Sequence, residues 1–167
     1  MKKLFVILFS LVSFLGFSQT QDVVDIAIGS KDHTTLVAAV KAADLVTTLK
    51  GKGPFTVFAP TNEAFAKLPE GTVTTLLKPE NKAQLSKILT YHVVSGNLDA
   101  TAVLAAIKKG EGKVVLTTVS GDNLTASLDG GKVKLTDESG NSAYVIVADL
   151  KGSNGVVHVI DGVVLPK

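Results

Sequence analysis

Three histidines, His33, His92 and His158, are the side chains of this sequence best suited to move a proton or hold a metal, and their spacing suits neither task. No two stand four residues apart, and no His-Glu-x-x-His run exists, so a zinc-hydrolase centre lacks its ligands. His158 lies between Val157 and Val159 in an apolar run and reads as a hydrogen-bonded core or edge histidine. His92 follows Tyr91 at the end of a helical segment, where a ring N–H can reach the last carbonyls. His33 stands in a polar turn and is expected to be solvated. Nucleophile and phosphate signatures fail in the same way. Gly152-Ser153-Asn154-Gly155 has the wrong spacing for a nucleophile elbow and leads into a strand. Gly51-Lys52-Gly53 also leads into a strand, and Pro54 removes an amide that a phosphate would use. Asp137-Glu138 reads as solvated charge in a hairpin turn, and neither it nor Asp129-Gly130-Gly131 supplies the alternating oxygens of a calcium loop. There is no cysteine, which removes disulfides, thiolate metal sites and a lipoprotein anchor. The expectation is a non-catalytic protein without metal or other cofactor.

The elements that must position these residues have clear punctuation. Phe55 to Ala59 is strand-like with both faces largely apolar, Pro60 stops it, and Thr61 or Asn62 can cap a short helix carrying Phe65 and Leu68 on one face. The pattern predicts helices over Thr34 to Lys50 and Glu80 to Val93, and a third from a cap at Asp99 through Ile107. From Gly112 onward short runs rich in Val, Leu and Thr predict strands at 113 to 119, 123 to 128, 131 to 136, 143 to 148 and 156 to 160. Asp129-Gly130-Gly131 and Ser139-Gly140-Asn141 are the hairpin turns between them, and a last apolar strand follows Gly162. Helices first and antiparallel strands later read as α+β.

Lys2 and Lys3 precede an apolar run from Leu4 to Phe17, and Gly16 and Ser18 are the small residues before a cleavage point, which predicts a signal peptide over 1–18. At about 14 residues, broken by Ser10 and Ser13, the run falls short of the roughly 20 a spanning helix needs. Residues 19–24 then read as a short lead-in, with Asp22 to Ile28 able to begin a helix, and 25–167 as one domain. The chain has 17 lysines, no arginine and 15 acidic residues, so removing the leader brings the formal charge to zero. Without arginine, the commonest bidentate reader of phosphate and guanine, nucleic acid is not an expected partner.

Three segments, in order, carry a resemblance: Phe55 to Phe65, the pair Tyr91-His92, and Asn154-Gly155 through Pro166. They closely resemble the motifs of the fasciclin (FAS1) domain. The resemblance continues through Leu36-Val37-Ala38-Ala39-Val40 and Leu85-Ser86-Lys87-Ile88-Leu89 and covers about residues 20 to 167. It implies a FAS1 fold, an antiparallel β-sandwich-like sheet packed with several short helices. It also implies an exported adhesion module, periplasmic, cell-surface or extracellular, that holds protein, matrix or polysaccharide by surface contact. In animal relatives such contacts are associated with the Tyr-His pair and with an Asp-Ile pair five residues before the Asn-Gly. Tyr91, His92, Asp149 and Leu150 occupy those positions here, Leu150 replacing Ile. Two readings stand for each end of this set. Tyr91 either contacts a partner or packs with a tethered hydroxyl, and Asp149 either contacts a partner or caps the turn at 150 to 154. An envelope small-molecule binding protein, with a pocket between helices and sheet, is the alternative function.

Overall fold

Asp22 opens the first helix of the chain. Its carboxylate accepts bonds of 2.9 Å from the amides of Val24 and Asp25, and Asp25 reaches back to the Asp22 amide, so α1 (Val23–Ile28) starts from a capping box. The computed structural model describes residues 20–167, and the leader expected over 1–18 lies outside them. No helix among the described residues is long and apolar enough to cross a membrane.

The single helix expected over 34–50 is two. Asp44 takes a left-handed conformation at φ 61°, which separates α2 (Thr34–Ala42) from α3 (Val46–Leu49). Strand β1 (Phe55–Pro60) ends at its proline, and the Thr61 hydroxyl accepts the Ala64 amide at 3.1 Å to start α4 (Asn62–Ala66). After α5 (Thr72–Leu76), a tighter turn at Pro79–Asn81 leads into α6 (Lys82–Tyr91), which buries Leu85, Ile88, Leu89 and Tyr91. The short β2 (Val93–Ser95) follows, and then α7 (Ala100–Lys109), which buries Val103 and Ile107.

The rest is strand: β3 (Lys113–Thr117), β4 (Asn123–Asp129), β5 (Lys132–Thr136), β6 (Ser142–Gly152) and β7 (Gly155–Ile160). They join β1 and β2 in one seven-stranded sheet of order β2-β1-β7-β6-β5-β4-β3. The α+β class and the helix-packed sheet are as expected. The sheet is nevertheless mixed, because β1 and β7 run parallel through a six-residue register, Phe55↔Gly155 to Pro60↔Ile160. A parallel pair needs a long crossover, and here the intervening chain supplies nearly all of the domain. These two strands lie second and third from the β2 edge, each flanked by a strand on both sides, with most residues buried, as parallel pairs require. The sheet also curls: Val94 bridges Thr118, and the Val119 amide donates to the Val93 carbonyl at 2.7 Å, so β2 meets the end of β3. This contact gives the sandwich-like shape to a single sheet.

Two apolar clusters result. One lies between the sheet and α1, α2, α3 and α6, around Leu36, Val40, Leu85, Leu89 and Val157. The other lies within the curl, around Phe58, Tyr91, Ile107, Leu124, Leu135 and Ile160. Each fully buried aliphatic side chain in these clusters contributes about 1.5–3 kcal/mol. The apolar segment after Gly162 does not form the expected strand. Val164 is completely buried in the inner cluster, and side chains take the backbone amides a ladder would have used: His92 Nε2 accepts Val164 N at 3.3 Å and Asp137 Oδ2 accepts Leu165 N at 3.0 Å.

Candidate functional site

Over the stretch paired with β7, Val145 to Gly152, strand β6 carries two more residues than its partner. Its register against β7 steps from Val145↔Ile160 to Val147↔Val159 and on to Leu150↔Val157, one residue looping out at each step. Such bulges bend a strand and re-aim its side chains. Ile146 is 50 % exposed and Val147 46 %, although they belong to an apolar run within the strand predicted at 143 to 148. Ile146 borders an open polar groove of about 250 Å³ lined by Asp32, Thr61, Asn62, Glu63, Lys67 and Asp161. Within it the Lys67 ammonium donates to the Asp161 carbonyl at 2.7 Å, and the Asp161 carboxylate accepts the Tyr144 amide at 2.8 Å. Among the described residues no group of three His, Asp or Glu side chains is placed to hold a metal ion.

Asp149 follows the bulge at φ 61°, a left-handed conformation that Asp tolerates better than most residues. Its carboxylate does not cap the turn at 150 to 154. It accepts the Ala100 amide at 2.8 Å, while Asp99 accepts the Ala102 amide at 2.8 Å, so two aspartates hold two of the orphan N–H groups that open α7. The Asp149 amide donates to His158 Nδ1 at 3.3 Å, and His158 Nε2–H donates to the Leu98 carbonyl at 2.7 Å, which fixes the orientation of the ring. Asp149 and His158 therefore hold the start of α7 and the segment before it against the bulged strand. Leu150, the next residue, is half-buried against the outer apolar cluster.

Tyr91 and His92 lie inside. Tyr91 is fully buried, its hydroxyl donates to the Asn123 carbonyl at 2.6 Å, and burial pushes its pKa up to about 12. His92 is 2 % exposed. Its Nδ1–H donates to the Ile88 carbonyl at 2.8 Å, as expected of a histidine at a helix end, and its carbonyl accepts the Phe58 amide at 2.8 Å. Loss of hydration in this position pushes its pKa down to about 4. The four residues singled out from the sequence thus do not form one surface. They are linked through the core: His92 bonds Phe58, the Phe58 ring stacks on His158 with centroids 5.7 Å apart, and His158 bonds Asp149.

Two sequence readings are corrected. His33 is not solvated but 5 % exposed, with Nδ1 hydrogen-bonded to Ser30 Oγ at 2.8 Å and Nε2 buried without a partner. Burial holds it below the ordinary imidazole value, the Ala59 backbone and the Asp32 charge partly offsetting. Asp137 is 5 % exposed, and its carboxylate accepts from the amides of Ser139, Asn141 and Leu165 and from Asn141 Nδ2. That carboxylate pins the C-terminal segment to the β5–β6 hairpin. Asn154 has a role that spacing does not reveal. Its side chain accepts the Val23 amide at 3.0 Å and donates to the carbonyls of Leu49 and Gly51 at 2.7 and 2.9 Å, tying α1, α3 and β7 together. Gly155 follows it because a Cβ there would collide with the Phe55 carbonyl. The only sequence signal for this junction was the Asn-Gly dipeptide.

The space between helices and sheet is an apolar crevice lined by Val24, Ala27, Leu36, Val40, Leu89 and Val93 with about 40 Å³ free. That is room for little more than a water, against about 300–1,000 Å³ for usual ligand pockets.

A family model, the fasciclin domain, matches residues 31–166. The protein sll1483 of Synechocystis is 51 % identical over 157 residues, covering 94 % of this chain and 80 % of its own length. The transforming growth factor-beta-induced protein ig-h3 of Sus scrofa is 38 % identical over 144 residues, which is 86 % of this chain but 19 % of that protein. Among solved structures, a FAS1 domain pair from the insect cell adhesion molecule Fasciclin I superposes with a TM-score of 0.76 at 17 % identity, over 87 % of this chain and 51 % of that one, a likeness of fold. By sequence and by fold the chain belongs to the fasciclin domain family.

Proposed function

We propose that this protein is an exported, non-catalytic adhesion module that holds extracellular protein, matrix or polysaccharide by surface contact. The observation that carries the reading is the doubly bulged stretch of β6, which turns Ile146 and Val147 out to solvent beside the polar groove of Thr61, Glu63, Lys67 and Asp161. Exposed apolar side chains rimmed by polar ones are the usual make-up of a protein contact surface. Family membership supports the same reading, and so does the likeness of fold to a domain pair of an insect cell adhesion molecule. In this proposal Asp149 and Leu150 border the contact surface, while Tyr91 and His92 keep it in shape from inside through Phe58 and His158. The leader over 1–18 would deliver the domain across the inner membrane. The crevice between helices and sheet, at about 40 Å³, lends the small-molecule alternative little support.

The test is retention of source cells and their extracted matrix on a surface coated with the protein, beside an Ile146→Ser/Val147→Ser double variant. Saturable retention is expected, reduced in the folded variant because single-copy adhesion draws on few contacts and on avidity across the coated surface. Equal retention by native and heat-unfolded protein would overturn the proposal.

A further inference from the structure

The outward side of strands β3 to β6 presents a second surface, set by register. Side chains alternate across a strand, so the inward set that fills the curl, such as Leu116, Ala126, Leu135 and Ala143, leaves the alternate positions outside. Lys113, Ser127, Lys134 and Tyr144 stand in one cross-strand row, and Val115, Thr125, Thr136 and Ser142 in the next. Helix α7 packs on the inner side through Val103 and Ile107, and Val115 on the outer side is 57 % exposed. Four strands at about 4.8 Å spacing make this an open face about 15 Å across.

The charge on this face is uneven. The described chain holds as many acidic residues as lysines, since 17 lysines and 15 acids become equal once Lys2 and Lys3 are set aside. Here Lys113, Lys132 and Lys134 stand with two carboxylates that are already engaged: Asp129 Oδ2 accepts the Tyr144 hydroxyl at 2.8 Å and lies 3.8 Å from Lys134 Nζ, and the Glu138 carboxylate accepts the Asn123 amide at 3.3 Å. Lys113 and Lys132 form no ion pair among the described residues. Two unpaired ammonium groups therefore flank rows of serine and threonine hydroxyls, each both donor and acceptor.

We propose that this face binds an acidic polysaccharide, a polymer whose carboxylates meet Lys113 and Lys132 and whose hydroxyls exchange hydrogen bonds with Ser127, Thr125, Thr136 and Ser142. Complementarity of charge selects an anionic polymer. The dense hydroxyls favour sugar over nucleic acid, for which the chain has no arginine fork and these rows offer one aromatic, Tyr144, its hydroxyl held by Asp129. The inference rests on the adhesive reading for the place of the protein outside the cell, and adds to it a ligand class and a second face.

The experiment measures retention of the full chain on alginate beads, dextran beads and immobilised DNA, beside Lys113→Gln/Lys132→Gln, whose exposed side chains make no bond that folding requires. Saturable retention on alginate and none on dextran is expected. It should fall about tenfold in the double variant and vanish as salt rises from about 50 mM to about 0.5 M, because exposed charges are screened. Ile146→Ser/Val147→Ser should bind alginate as the parent does. Equal alginate retention by parent and lysine variant would overturn the proposal, as would DNA retention as strong as that on alginate. If alginate is not retained while source cells still are, the ligand class fails and adhesion by β6 stands.

Discussion

The Tyr91-His92 corner and the bulged stretch of β6 treat their polar groups in opposite ways. At the corner each ring donor and acceptor has a partner, and the pair is buried to 0 % and 2 % exposure. In β6 the ladder skips two residues, Ile146 and Val147 stand in solvent, and the carboxylate that follows in the strand, Asp149, holds another element in place. The more distinctive sequence therefore belongs to the frame and the plainer one to the displayed surface. A motif is readable because core packing and hydrogen-bond satisfaction restrict its residue types, whereas a contact surface needs only exposure and shape. Breaking the frame should change stability first, and altering the display should change retention alone.

The largest effect is expected at His92 and is a function of pH. Its folded pKa is pushed down to about 4, whereas an unfolded histidine titrates near 6.5. Above about pH 6.5 both states carry a neutral ring and the group leaves stability unchanged. As pH falls from about 6.5 to about 4 the unfolded chain takes up a proton that the folded one refuses, so folding loses about 3 kcal/mol, and the loss levels off below that. His33, also buried and shifted down, acts in the same direction. Urea denaturation at stepped pH measures the curve. A His92→Leu variant should start less stable, with Val164 N unpaired, and show a shallower slope over the same window. Slopes that match between the two would show that His92 is not the group that titrates.

Much of the frame was legible from residues. Pro60 and Thr61 announced a strand end and a helix cap, Asp99 a second cap, and the two glycine turns the hairpins around β5. What escaped depends on contacts between distant segments. Periodicity runs unbroken through Asp44, where only the left-handed backbone divides two helices. Asp137 and His33 have polar neighbours in sequence, and tertiary packing buries them. The parallel pairing of β1 with β7 joins strands about a hundred residues apart, for which no turn gives notice. The bulges were hidden for the opposite reason: Val145-Ile146-Val147-Ala148 is apolar throughout, and such a run carries no sign of which residues a register shift will expose.

Asp149→Ala should give an intermediate effect. It removes the acceptor of the Ala100 amide at the start of α7 but leaves the Asp99 cap, so the loss is about 1 kcal/mol, as for a helix N-cap. Amide hydrogen exchange should quicken at Ala100 and its neighbours in the first turn of α7, with the α6 amides unchanged. Uniform quickening would mean that Asp149 supports the whole fold.

The smallest change in stability is expected for Ile146→Ser/Val147→Ser. Both side chains are about half exposed, the bulges leave them outside the two apolar clusters, and surface substitutions away from caps and buried networks stay within about 0.5 kcal/mol. Thermal unfolding of parent and variant should therefore nearly coincide, a measurement independent of any partner. Were the variant to lose about 2 kcal/mol or more, the two side chains would be packing against the domain itself, as core substitutions do. The contrast between a buried frame and a displayed strand would then collapse, because β6 would belong to the frame. With stability unchanged, any fall in retention can be assigned to the contact, since nothing else in the molecule has been altered.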